Sequence, residues 1–321
     1  MRELIVTKKE EGMVLSKYLQ KTFEKMPNSI LYKLLRKKYF EIEDKKAKGN
    51  EILKEGDKIK VFLSDDTYDK FLKERDAVEY DDRIINVKQI RDRIIYEDDN
   101  IIVYNKEIGL LSQSDNSKNL SVNSILNDYI SSKRVETGFT PSIVNRLDRN
   151  TSGLIIFAKT YLAAKEISFM IKKRLIDKRY LAIVNGVMEK DHDILTQLLK
   201  KDENNNKVYI KDYKGKEEDN YTKVSLEYKA IKKYKDRSIL DIKLITGKSH
   251  QIRAQLAHIG HPLIGDKKYM PIEMYKENVK KYGAKTQKLL CYKIKFGSFE
   301  DERLTYLNDK EIKLKKEDYE I

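Results

Sequence analysis

The chain has 321 residues, 40% of them hydrophobic, enough for two domains or for one large domain with an appendage. Lys and Arg number 66 against 52 Asp and Glu, a net charge of +14, and such a field favours a polyanion: nucleic acid or an anionic membrane surface. A single cysteine, Cys291, excludes an internal disulfide framework and a cysteine metal site and fits a reducing cytoplasm. The opening MRELIVTKKE lacks the apolar region of a signal peptide, and no window approaches about 18 uninterrupted apolar residues, so no membrane span is expected.

Residues 1–64 read as a small α/β domain. In VLSKYLQKTF, after Gly12, Leu15, Leu19 and Phe23 recur every four residues and predict a helix with one apolar face. Pro27 interrupts, and Asn28 or Ser29 is placed to cap a second helix, ILYKLLRKK. Ile30, Leu31, Leu34 and Leu35 fall on one side of it; Lys33, Arg36, Lys37 and Lys38 cluster on the other. FEIED and KEGDKIKVFL follow as strands. The basic side suits phosphate tracking, with a merely solvated helix face as the plain alternative. The Gly-x-x-Leu opening, the Ser-x-x-x-x-Leu helix ending in basic residues and the Glu-Gly-Asp-x-Ile-x-Val strand resemble the small RNA-binding module first seen in a ribosomal small-subunit protein.

Residues 65–92 are highly charged with little periodicity and read as a linker or meandering edge. From Arg93 the strand signals multiply. IIYEDDNIIVYNK reads as two strands around an acidic turn, and LIIFAK, YLAIVNG, KVSLEYKAI and SILDIKLITG are further strands. TYLAAKEISFMIKKRL and SHQIRAQLAHIG read as amphipathic helices, and residues 200–220 as a long exposed hairpin rather than core. Residues 93–321 thus form an α+β domain on a mixed or antiparallel central sheet with flanking helices.

In VNRLDRNTSGLIIFAK, Asp148 sits between Arg146 and Arg149 just before a buried-looking strand. Such an aspartate is most often a structural ion pair at a turn; the alternative is a carboxylate kept ionised by cations for chemistry. The second informative segment is LITGKSHQIRAQLAHIGHPLIGDKKY. Its strand ends at Thr246-Gly247, Ser249 is placed to cap a helix carrying Gln251, Arg253 and Gln255, and tight turns follow at Gly260-His261-Pro262 and Gly265-Asp266. Two glycine-punctuated polar segments on apolar elements suit a cleft floor. Between them, Lys178-Arg179-Tyr180 leads into a strand.

Together these segments resemble pseudouridine synthases of the large-subunit ribosomal RNA type. The Arg-Leu-Asp-x-x-Thr-Ser-Gly signature is matched at Arg146, Leu147, Asp148, Thr151, Ser152 and Gly153. Lys-x-Tyr-x-Ala-x-Val-x-Gly is matched at Lys178, Tyr180, Ala182, Val184 and Gly186. Thr-Gly-x-x-His-Gln-Ile-Arg is matched at Thr246, Gly247, His250, Gln251, Ile252 and Arg253, and YEDDNIIVYNKEIGLL matches the start of the catalytic domain. Asn145 and Leu290 stand where many members have His, Glu107 where they have Pro, and Lys248-Ser249 where Arg-Thr is commoner; these departures bear on substrate choice more than on chemistry.

The resemblance implies isomerisation of uridine to pseudouridine within RNA, with ribosomal RNA favoured and transfer RNA as the other option, and with no cofactor and no metal; a monomer is expected. It implies Asp148 as the carboxylate acting at the anomeric carbon, Arg253 as its partner, Tyr180 stacking on the uracil and assisting loss of the carbon-5 proton, and Ile252 as the opposite wall. Arg146, which could also be a structural pair, would fill the space left by the flipped base, with Thr151, His250 and Gln251 completing the substrate site. Two other classes compete: a non-catalytic RNA-binding or ribosome-assembly factor, needing no Asp148, and a metal-dependent hydrolase using histidines. The chain has only four histidines and this segment lacks metal-site spacing. Cys291 reads as a core strand residue, and the tyrosines look too scattered to define a stacking platform.

Overall fold

The computed structural model describes residues 1–72, 87–114, 120–130, 138–216 and 218–319. The chain divides into two compact units, one of Met1–Val103, Ser114–Asn145 and Ile156–Ser168, the other of Tyr104–Gln113, Arg146–Ile155 and Phe169–Ile321.

In the first unit, β1 (Arg2–Ile5), α1 (Leu15–Thr22), α2 (Asn28–Arg36), β2 (Phe40–Ile42), β3 (Lys45–Lys46) and β4 (Lys58–Val61) build an antiparallel sheet in the order β1-β4-β2-β3 with two helices. Leu15, Leu19 and Phe23 share one core with Leu31, Leu35, Phe40, Ile59 and Val61, the helical period doing what the sequence predicts. Helix α2 departs from expectation twice. Its N-cap is Pro27, with no side-chain cap from Asn28 or Ser29, and Ile30 is exposed, so the apolar stripe is carried by buried Leu31 and Leu35 with Leu34 partly buried beside them. The same core takes in Tyr68 and Phe139.

The segment read as a linker is helical at both ends, as α3 (Asp65–Phe71) and α4 (Val87–Asp92). Ser64 caps α3 by accepting from the Thr67 amide, and Asp65 and Asp66 favour its N-terminus. Residues 73–86 of that segment lie outside the described residues. β5 (Ile94–Glu97) and β6 (Ile101–Lys106) form the expected hairpin, its acidic turn held by Asp98, which accepts from the Asn100 and Ile101 amides at 2.7 and 2.9 Å. α5 (Val122–Ile130), β7 (Ser142–Ile143), β8 (Ser152–Ala158) and α6 (Tyr161–Lys173) follow, with β7 antiparallel to the end of β8.

The second unit holds β9 (Ile176–Asn185), β10 (His192–Asp202), β11 (Lys207–Asp212), β12 (Thr222–Lys233), β13 (Arg237–Leu244), α7 (Gln251–His258), α8 (Ile272–Tyr282), β14 (Leu289–Phe296) and β15 (Glu311–Lys313). Its sheet runs β11-β10-β12-β13-β9-β14-β8, antiparallel throughout except for the parallel pairing of β14 with β8, so the sheet is mixed. Register aligns Cys291, Tyr180, Ile242 and Tyr228 in one row across β14, β9, β13 and β12, all buried. Cys291 is therefore a core strand residue, as expected. The 200–220 hairpin is real but not merely exposed: Leu199 and Val208 are buried with Val224 and with Ala254 of α7. A pure period-2 reading misses this because the hairpin packs on a helix 40 residues later in the chain.

Gly153, the second residue of β8, has φ +111°, and a Cβ there would lie 2.2 Å from the Cys291 carbonyl oxygen. Only glycine lets β8 approach β14 this closely so soon after Asp148. Gly153→Ala is expected to lower unfolding free energy in urea by about 2–4 kcal/mol, from left-handed backbone strain plus overpacking; a loss below about 0.5 kcal/mol would show that the ladder relaxes around the methyl group.

Candidate functional site

Asp148 lies on the irregular stretch between Leu147 and β8, and the scaffold clamps that stretch on both sides. Before it, the Ser112 hydroxyl donates to the Leu147 carbonyl at 2.6 Å and accepts from the Leu147 amide at 3.0 Å. After it, the fully buried Lys106 ammonium donates to the carbonyls of Arg149, Glu107 and Leu110 at 2.8–2.9 Å. Buried and holding these three carbonyls, it ties two loops together. The Thr151 amide donates to the Asp148 carbonyl at 3.0 Å. The Thr151 side chain is buried and accepts from Gln287, so its reach is to the scaffold.

The two arginines beside Asp148 in sequence are not its partners. Arg149 donates to the Gly109 carbonyl, and Arg146 is exposed, with no ion pair among the described residues. The partner is Arg253 of α7, whose Nη1 donates to Asp148 Oδ2 at 2.8 Å. The other side of the same guanidinium grips Asp266, with Nε to Oδ2 at 2.7 Å and Nη2 to Oδ1 at 2.8 Å. Asp266 is fully buried and Arg253 nearly so, whereas the Asp148 side chain is 24% exposed. Burial opposes the charge on Arg253, but Asp266 and then Asp148 outweigh it and raise its pKa further. Asp148 Oδ1 takes no hydrogen bond among the described residues, so one carboxylate oxygen is tied and the other is free.

His250 is the N-cap of α7 in the left-handed conformation, φ 55°, and gives no side-chain cap; Ser249 does not cap the helix. The turn puts the His250 ring beside the site. Its Nδ1 hydrogen-bonds the Tyr269 hydroxyl at 2.8 Å, and its Nε2 lies 3.9 Å from Asp148 Oδ2. Burial lowers the His250 pKa, aided by Arg253 and Lys268 and opposed by Asp148, so the neutral imidazole is favoured. Tyr269 stacks under Arg253, 5.1 Å from ring centre to guanidinium carbon, and burial pushes its phenol up to about 12.

Tyr180 is buried beside Cys291, and burial, with Asp148 as a lesser contributor, raises its phenol well above the ordinary range. It is therefore neutral at physiological pH. Ile252 is buried on the first turn of α7. The Gln251 amide is fully engaged: its oxygen accepts from Thr246 Oγ1 and the Lys248 amide, and its nitrogen donates to the Ser225 carbonyl and to Gln255. Gln251 thus pins the Thr246-Gly247 turn to α7, and the structure sets it behind the site rather than on an open wall. Asp148, Tyr180, His250 and Arg253 are brought together; Asp266, Tyr269, Lys106 and Ser112 are the supporting residues that sequence reasoning did not assign. Lys106, Asp266 and Tyr269 lie within segments that stand out in the sequence, but nothing there marks their supporting roles. Among the described residues no cluster of three His, Cys, Asp or Glu could hold a metal ion.

Residues 100–258 match a family described as RNA pseudouridylate synthase. An RNA pseudouridine synthase of Mycoplasma capricolum is 31% identical over 320 residues, 97% of this chain and 97% of that one. A ribosomal large subunit pseudouridine synthase C of Rickettsia bellii is 34% identical over 270 residues, 81% of this chain and 85% of that one. Among solved structures, the human RNA pseudouridylate synthase domain containing 4 protein shares the fold, with a TM-score of 0.57 at 18% identity over 71% of this chain and 90% of that one.

Asp266→Asn leaves a buried guanidinium half compensated and is expected to cost roughly 3 kcal/mol in urea unfolding, whereas Asp148→Asn, at the more exposed end, is expected to cost less than about 1 kcal/mol. The reverse order would mean that Asp148, not Asp266, anchors Arg253.

Proposed function

The chain belongs to the RNA pseudouridine synthases and isomerises uridine to pseudouridine within RNA, and we propose that its substrate is ribosomal RNA and that Asp148 is the reacting carboxylate. The carrying observation is the 2.8 Å contact between Asp148 Oδ2 and a guanidinium already locked by Asp266. Arg253 aims the carboxylate by holding Oδ2, leaving Oδ1 for the anomeric carbon, as nucleophile or to promote elimination. The glycosidic bond breaks, the uracil turns, and carbon 5 rejoins the sugar. No electron leaves or enters, so the route calls for no redox cofactor.

The remaining roles follow from burial and charge. Tyr180, neutral, stacks on the uracil and donates or relays a proton rather than acting as a standing phenolate; Ile252 forms the facing apolar wall. Neutral His250 places no second cation against Asp148. Arg146, exposed and without an ion pair among the described residues, is available to fill the gap left by the flipped base, whose unstacking costs a few kcal/mol. Lys33, Arg36, Lys37 and Lys38 are all exposed along and just after α2, with no carboxylate paired to them among the described residues, which supports their role as phosphate contacts that offset this cost.

The ribosomal assignment rests on the name of the Rickettsia relative and on the RNA-binding resemblance of residues 1–64. We further propose that the enzyme works as a monomer in the cytoplasm, a reading supported by a constellation drawn from one chain and by a single, buried Cys291. Among the described residues no helix is long and apolar enough to cross a membrane.

Tritium release from carbon-5-labelled uridine in unmodified ribosomal RNA tests the central assignment. Wild type is expected to release label and folded Asp148→Asn to be slower on the order of 10⁴-fold or more, as when a nucleophile is removed. Release by the variant at the wild-type rate would return Asp148 to a structural ion pair. Replacing Lys33, Arg36, Lys37 and Lys38 together by Ala is expected to reduce the slope of log affinity against log salt by about 2–3, at roughly 0.7 per phosphate contact. An unchanged slope would mark them as a solvated helix face.

A further inference from the structure

The outer face of the β10–β11–β12 ladder gathers tyrosines that look scattered in the sequence. Lys200 stands opposite Tyr209 across β10 and β11, and Leu198 stands between Lys211 on one side and Lys223 on the other. Side chains alternate along a strand, so these residues share the face opposite the one that packs Leu199 and Val208 on Ala254. On that outer face cations rest on rings. Lys200 and Lys211 each lie 5.9 Å from the Tyr221 ring centre, Lys207 lies 5.9 Å from Tyr209, and Lys223 lies 4.3 Å from Tyr213.

Two features set this face apart from an ordinary charged surface. A lysine on a β-hairpin can be neutralised by a neighbouring carboxylate, and here Lys211 is, by Glu218 of the β11–β12 connection at 2.7 Å. No carboxylate pairs with Lys200, Lys207 or Lys223 among the described residues, and Tyr209 is 49% exposed. The strip also ends beside the reaction site: Lys207, the first residue of β11, lies 5.8 Å from the ring of Tyr269, which packs on the opposite face with Val208 and itself holds His250 and Arg253. Lys207, Tyr209 and Lys211 recur every two residues, about 7 Å apart along an extended strand.

We propose that this face is a stacking platform for single-stranded RNA flanking the target uridine, with Tyr209 and Tyr221 taking bases and Lys200, Lys207 and Lys223 taking phosphates. Cation–ring contacts are weaker than buried ion pairs and exchange readily, so a phosphate can draw each ammonium away while a base takes the ring. Paired bases already stack on one another, so a duplex gains only the phosphate contacts. The inference rests on the RNA-modifying function but does not need the RNA to be ribosomal.

The test titrates the full-length protein against a fluorescein-labelled oligoadenylate of about ten nucleotides, which carries no uridine, and reads anisotropy. Tyr209→Ala with Tyr221→Ala is expected to weaken binding at least about tenfold, while Phe at both positions retains affinity. Lys200→Ala with Lys223→Ala is expected to lower the log–log salt slope by about 1.4, and this pair carries the test should the alanine variants of the tyrosines fail to fold. With the same strand annealed to its complement, the tyrosine variants are expected to match wild type. Unchanged affinity in folded tyrosine variants, an unchanged salt slope, or an equal loss on the duplex would each overturn the platform. Tritium release by the wild type, run in parallel, keeps the two questions apart: its absence counts against the enzymatic reading, and its presence with unaltered oligonucleotide binding counts against the platform alone.

Discussion

One guanidinium between two carboxylates governs the site. Arg253 holds buried Asp266 with two nitrogens and partly exposed Asp148 with a third. A buried ion pair adds little net stability, because desolvation cancels much of the attraction; what it supplies is geometry. Asp266 removes the freedom of a long side chain, so Arg253 meets Asp148 as a fixed donor. The division of labour follows exposure. The carboxylate that anchors is sealed from water, and the one proposed to react keeps a free oxygen and partial exposure.

The loop that carries Asp148 is held with comparable economy of means. Ser112 fixes the residue before it, Lys106 fixes the carbonyl after it, and Gly153 lets β8 lie against the backbone of β14 within five residues. Tyr180 arrives by a different route, through the register that sets it beside Cys291. A carboxylate from a clamped loop, a phenol from a strand and a guanidinium from a helix start thus meet at fixed positions. Sites on rigid supports of this kind need little reorganisation when charge develops.

The sequence shows local features well and distant ones badly. The 3.6-residue period of α1, the hairpin of β5 and β6 and the strands β8, β9, β12 and β13 follow from patterns inside a short window. The partner of Asp148 does not, because Arg253 lies 105 positions away and two nearer arginines compete for the role on paper. The ordered motifs of the family point to Arg253, but nothing in them singles out Asp266 as its anchor. The cap of α7 differs from the sequence expectation for a related reason: Ser249 is the better capping residue by propensity, yet the chain turns left-handed at His250, whose ring meets Tyr269. The tyrosines of the outer ladder escape notice because only cross-strand register, set by a turn and a long return strand, brings them together.

These arrangements also resolve an electrostatic conflict. The chain carries +14 overall and so draws in a polyanion. The reaction, however, needs an anion placed against a nucleotide that bears its own negative phosphates. A bare aspartate there would repel its substrate, and a fully neutralised one would not react. Arg253 is shared between Asp148 and Asp266, and His250 is held toward its neutral form, so each carboxylate faces the same guanidinium and no second cation is added beside Asp148. The long-range attraction is left to exposed lysines and arginines, where salt screens it, and the short-range polarity to a buried cluster, where salt hardly reaches. Weak screening at the site and strong screening at the surface allow substrate capture and carboxylate chemistry to be tuned independently within one chain.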